Sequence, residues 1–154
     1  MEALSFIIDG EYFAVDVSFV QTVVRKLPVT PVPTASGEII GISNFKGRVI
    51  TVLCLSSFLE RPENPPDRHS EELFNTVIFK PLFADEDQLG LAIDKAGDLI
   101  KIQDEDIKPY THSFQPENFT CISSIIEIEG VLYRIINLHA ISDSYKSGAA
   151  SEPQ

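Results

Sequence analysis

Apolar positions alternate or cluster in short runs along this chain, and turn-forming residues separate the runs. From Leu4 to Val17 the segment LSFIIDGEYFAVDV sets Phe6, Ile8, Phe13 and Val15 on either side of Asp9-Gly10. Glycine reaches the positive φ of a two-residue turn without steric cost, so the segment predicts a hairpin closed by Asp9 and Gly10. Ser18 is placed to cap a short helix over Phe19 to Arg25, in which Val20, Val23 and Val24 share a face. Those valines are either core or the lining of a partner groove. The stretch LPVTPVP, Leu27 to Pro33, lacks amide donors at its prolines and reads as an extended crossover. Gly41 and Gly47 then predict tight packing or turn angles around a short extended piece, Gly41 being grouped with Asp9, Gly10 and Gly130 as a turn marker. VITVLCL, after Arg48, has the β-branched content of a central strand, and Ser56 or Ser57 is placed to cap a short helix through Leu59 and Glu60.

Arg61 to Glu72, rich in proline and charge, reads as an exposed, mobile loop. Strand patterns resume at Leu73 to Phe79 and, after a pause over Pro81 to Gln88, at Leu89 to Asp94. Gly97 and Asp98 are expected to break the next run, with Leu99 to Ile102 returning as a strand. Cys121 to Gly130 and Val131 to Leu138 flank Glu129-Gly130 and predict a second hairpin. His139 to Tyr145 is expected to form a terminal helix with Leu138, Ile141 and Tyr145 turned inward, followed by a flexible tail over 147–154. Many short strands, few helical turns and no crossover helices point to an all-β chain built as a pair of small barrels rather than a parallel sheet.

The 154 residues suit one compact domain or two small lobes. The formal charge of -11 disfavours nonspecific attraction to nucleic acid or anionic lipid. No apolar run approaches the roughly 20 residues that span a bilayer, so no membrane insertion is expected and the chain reads as cytoplasmic. Cys54 and Cys121 are isolated in apolar stretches and read as buried thiols. His69, His112 and His139 have no metal-binding context, and the acidic triplets Asp85 to Asp87 and Asp104 to Asp106 match no regular cation loop. Gly37, Gly41 and Gly47 form neither phosphate-binding signature, and Ser43, Ser56 and Ser57 lack a nucleophile elbow. No catalytic residue, metal or cofactor is assigned, which turns attention to binding surfaces.

The segment IIGISNFKGRVITVLCL, Ile39 to Leu55, resembles the CheW-like chemotaxis adaptor family, whose central pattern is approximately GxxNxRGxxxPVxDL. The Asp9-Gly10 hairpin, the Pro31 and Pro33 linker and the terminal hairpin with its helix extend the resemblance over about Leu4 to Tyr145. The resemblance implies one domain over 1–146 with two five-stranded SH3-like barrels that share a hydrophobic junction. It implies a noncatalytic scaffold joining the regulatory domain of a chemotaxis histidine kinase to the cytoplasmic tips of methyl-accepting chemoreceptors, hence recruitment to membrane-associated arrays. Val20, Val23, Val24 and Ile42 become candidates for the junction or receptor groove, and Asn44, Lys46, Gly47, Val49 and Val52 for the partner-facing hairpin. The chain departs from the pattern at Lys46 (usually arginine), Thr51 (proline), Cys54 (aspartate) and Thr22, near a position commonly glutamate. Lysine keeps the charge but loses the planar five-donor fork of a guanidinium. An array controlling pili or surface motility, and an unrelated β-barrel interaction module, are the alternatives.

Overall fold

The computed structural model describes residues 1–32, 37–58, 73–82, 88–109 and 121–151. The loop expected over Arg61 to Glu72, the triplet Asp85 to Asp87, His69 and His112 lie outside the described residues. The chain divides into two units, Met1–Ser18 with Lys95–Gln154, and Phe19–Asp94.

In the first unit, β1 (Glu2–Ile8) and β2 (Glu11–Asp16) form a hairpin closed by Asp9 and Gly10, at φ 53° and 77°. A second hairpin joins β11 (Ile122–Ile128) to β12 (Val131–Ile136) through Glu129 and Gly130, at φ 51° and 81°. Positive φ at both central residues matches the twist of the flanking strands, the geometry that favours an acidic residue followed by glycine. With β9 (Lys95–Lys101) and the two-residue β10 (Lys108–Pro109), the sheet order is β10-β11-β12-β2-β1-β9. One face encloses Ala3, Ala14, Ile102, Ile126 and Ile135. The other carries Phe6 and Phe13, fully buried and stacked 5.9 Å apart. A sheet buried on both faces explains why FII and FAV read as continuous apolar runs rather than strict alternation.

The second unit contains β3 (Val20–Pro28), β4 (Thr30–Pro31), β5 (Ile39–Phe45), β6 (Arg48–Leu53), β7 (Leu73–Phe79) and β8 (Gln88–Ile93) in the order β3-β7-β8-β6-β5-β4. Its core gathers Leu27, Val29, Ile40, Ile50, Val52, Cys54, Phe74, Ile78 and Ala92, with Val24 and Phe45 packed against it. All six residues of β8 are buried.

Several expectations are corrected. The helix expected over Phe19 to Arg25 is absent; Val17–Phe19 makes a 3-10 turn and Val20 onward is strand β3. Thr22 and the three valines are β-branched, and pairing with β7 supplies the backbone partners a lone helical turn would need. Ser18 does not cap a helix; its N–H donates to Asp16 Oδ1 at 2.9 Å. Gly97 and Asp98 do not end a strand but form a bulge within β9, where Ser5 Oγ donates to the Asp98 carbonyl at 2.8 Å. A side chain at Gly97 would collide with Ser5. Among the described residues each sheet has six strands rather than five, and each is mixed, because β12 runs parallel to β2 and β6 parallel to β8. The first helix, α1, spans Leu55–Phe58, and the last, α2, runs Leu138–Ser151, through part of the expected tail. Ala149 and Ala150 favour that continuation.

Candidate functional site

The site expected from sequence falls on two separate strips of the second unit. The first is the β5–β6 hairpin, closed by Lys46 and Gly47 at φ 52° and 82°. Asn44 Oδ1 accepts the Gly47 N–H at 3.1 Å, so the side chain of Asn44 satisfies a turn donor that no ladder reaches. Lys46 Nζ lies 5.2 Å from the centroid of the Phe45 ring, whose far side rests on the core. This anchors an exposed cation on a fixed hairpin tip.

Cross-strand partners share a face, which sorts the candidates. Ile42 pairs with Thr51 and Asn44 with Val49 on the face away from the core. Ile42 is 41% and Val49 52% exposed, beside the exposed Asn44 and Lys46. Val52 is fully buried in the core cluster and is excluded as a partner-facing residue. Thr51 and Cys54, two of the four departures from the family pattern, are also buried, Cys54 within the core. Gly41, grouped above with the turn markers, sits inside β5 instead. A Cβ there would collide with the Thr30 carbonyl and approach Val29 Cγ1 to 2.9 Å, so glycine admits the close passage of β4.

The second strip is β3, at the sheet border. Val20 pairs with Phe79 and Val23 with Val77, placing both half-buried valines on the face that carries Ile42 and Val49. Val24 pairs with Thr76 and turns to the core, so the three valines do not share a face. In sheet order β7 and β8 stand between β3 and β6, while the end of β3 returns to β5, where Ser43 Oγ donates to the Pro28 carbonyl at 2.6 Å. Thr22 pairs with Ile78 on β3, whereas Lys46 closes the β5–β6 turn.

Sequence patterning missed two carboxamides that hold β3. Asn75 Oδ1 accepts the Lys26 N–H at 3.0 Å, and Asn75 Nδ2 donates to the Asp94 carbonyl at 3.1 Å. Lys26 is a bulge residue at φ 55°. Gln88, at the start of β8, reaches Gln21. Asn75 is signalled only as a polar residue inside an apolar run, and Gln88, directly after Asp87, carries no such signal.

Among the described residues of this unit, Arg25, Lys26, Lys46, Arg48 and Lys80 face only Glu38 and Asp94 in formal charge. Burial pushes the Glu38 carboxyl above its ordinary value. No group of three or more metal-ligating side chains exists among the described residues.

The CheW-like domain family matches residues 2–146. The chain belongs to that family. It is 25% identical over 149 residues, 97% of this chain and 91% of the relative, to the chemotaxis protein CheW of Bacillus subtilis. Over 58 residues, 38% of each chain, it is 40% identical to the chemotaxis protein CheW of Thermotoga maritima. The crystal structure of the scaffolding protein TtCheW from Thermoanaerobacter tengcongensis superposes with a TM-score of 0.71 at 21% identity, covering 91% of this chain and 90% of that one. This CheW-like chain is thereby a member of a family of noncatalytic scaffolds. Among its described residues no helix is long and apolar enough to cross a membrane.

Proposed function

We propose that this CheW-like chain couples a chemotaxis-type histidine kinase, through the kinase's regulatory domain, to the cytoplasmic tips of chemoreceptors, and is recruited with them to membrane-associated arrays. In this reading the two sheets curl into SH3-like barrels and serve as rigid platforms. The observation that carries it is the exposed pair Ile42 and Val49 beside Asn44 and Lys46 on a turn whose backbone is internally satisfied. Apolar side chains flanked by a fixed cation suit a protein partner better than bulk solvent.

Coupling requires no bond chemistry. A scaffold shifts a kinase between states only if it binds those states with different affinity, so signal transfer is a difference in contact free energy across this surface.

Lys46→Glu is the test, with binding to the kinase regulatory domain and to a receptor-tip fragment measured by calorimetry. Reversal of a charge at an interface typically costs a few kcal/mol, so affinity for at least one partner is expected to fall about tenfold or more. The thermal midpoint should move little, because Lys46 is exposed. Near-wild-type affinity for both partners removes Lys46 from the site. Wild-type protein that binds neither partner rejects the function itself.

A further inference from the structure

Strand β3 slips against β7 at the extra residue Gln21, between the Val20–Phe79 and Thr22–Ile78 pairs. Gln88 is only 5% exposed. Its Nε2 donates to the Phe79 carbonyl and to Gln21 Oε1, both at 2.7 Å. A carbonyl only accepts, so the nitrogen of Gln88 must face Phe79, and the orientation of the amide is fixed. Both N–H groups are then engaged, while Gln88 Oε1 is buried with no hydrogen-bond partner among the described residues.

An orphaned buried acceptor is destabilising, and methionine, of nearly the same volume, would remove Gln88 Oε1 only to leave the Phe79 carbonyl without its Gln88 donor. The two effects are of similar size, so the bond to Phe79 alone does not single out glutamine at this position. What glutamine does that methionine does not is reach past β7 and hold Gln21.

We infer that Gln88 is a positioning residue, which locks the Gln21 bulge in one conformation and so sets how Val20 and Val23 are presented to a protein partner. A one-residue slip in a strand exchanges its two faces, so a bulge free to migrate would turn Val20 away from Val23. The second bulge, at Lys26, is held more directly, by Asn75 Oδ1 accepting the Lys26 backbone N–H. Two pinned bulges also spoil the regular ladder that strand addition needs, so the partner reads side chains here rather than backbone. The identity of that partner rests on the adaptor function proposed above.

The test compares wild type with Gln88→Met, Gln21→Met and the double variant, by amide hydrogen exchange and by affinity for the receptor-tip fragment and the kinase regulatory domain. Gln88→Met exchanges one unpartnered buried acceptor, Gln88 Oε1, for another, the Phe79 carbonyl, so the thermal midpoint should move little. Exchange at Gln21 to Val23 should quicken about five- to tenfold, the equivalent of one net hydrogen bond, and affinity for one partner should drop by a similar factor. Gln21 is exposed, so Gln21→Met folds normally and should reproduce both effects, and the double variant should add nothing further. Unchanged exchange at Gln21 to Val23 overturns the inference. So does a uniform rise through β7 and β8 with a lowered midpoint, the mark of a merely structural residue, and so does unchanged affinity where local exchange has risen. If wild type binds neither fragment, the adaptor function fails on its own account, and exchange at Gln21 to Val23 still decides whether the pin exists.

Discussion

Gly41 and Gly47 look alike in the motif but answer to different physics. Beside Gly41 the Thr30 backbone occupies the space of a side chain, whereas nothing lies within 4 Å of a Cβ at Gly47, which is constrained only by its φ of 82°. Gly41→Ala is expected to lose about 1–3 kcal/mol by overpacking and to loosen β4, read as faster amide exchange at Val32, whose N–H bonds Ile40. Gly47→Ala should lose about 1–2 kcal/mol through backbone strain alone, leaving β4 exchange unchanged. Glu38 gives a signed pH test. Its carboxyl binds a proton more readily folded than unfolded, so its contribution is full below the ordinary carboxylate value and is lost as pH rises through the raised one. In urea titrations Glu38→Gln should therefore exceed wild type in stability at neutral pH and converge with it in acid. Burial pushes the Cys121 thiol up to about 12. Iodoacetamide at pH 8 is expected to spare Cys121 in folded protein and to label it in urea, as followed by peptide mass spectrometry.

Hairpins were legible because their signals are local. Asp9-Gly10 and Glu129-Gly130 declare their turns within two residues, and the flanking runs declare strands. Strand β3 was not, because Val20, Val23 and Val24 fit helical spacing and the partner that decides the matter, β7, lies some fifty residues on, as Val24 with Thr76 illustrates. Bulges deepen the ambiguity, since each inserts one residue and moves the alternation out of phase. Gly97 was misread for the same reason: a glycine that admits Ser5 within a continuous strand is indistinguishable, by composition, from one that ends it. Of the site, the Lys46 hairpin could be located from its motif, while the exclusion of Val52 required knowing which face of β6 meets the core. Asn75→Leu tests the second pin. Loss of its two hydrogen bonds is expected to lower stability by about 1 kcal/mol and to speed exchange at the Lys26 amide, with Gln21 unaffected.

Across the whole molecule, one unit is contiguous in sequence and the other is assembled from both ends. Phe19–Asp94 holds every strand of its own sheet, whereas the first unit needs β2 beside β12, with Tyr12 opposite Tyr133. Closing so long a loop is entropically slower than closing the shorter ones inside Phe19–Asp94. Pulsed hydrogen exchange during refolding should therefore find β7 and β8 protected before β2 and β12. A pair of small β units was legible from many short strands without crossover helices, but the return of the last hairpin to the first was not, since nothing in an individual run names a parallel partner. Register in both sheets is settled by a handful of special positions, the two-residue turns, the bulges and the glycine beneath β4. Because those positions fix the backbone, the outward side chains are left as nearly independent variables. A duplicated copy of this gene could then drift toward a new binding specificity by exchanging Ile42, Val49 or Lys46 without relearning how to fold.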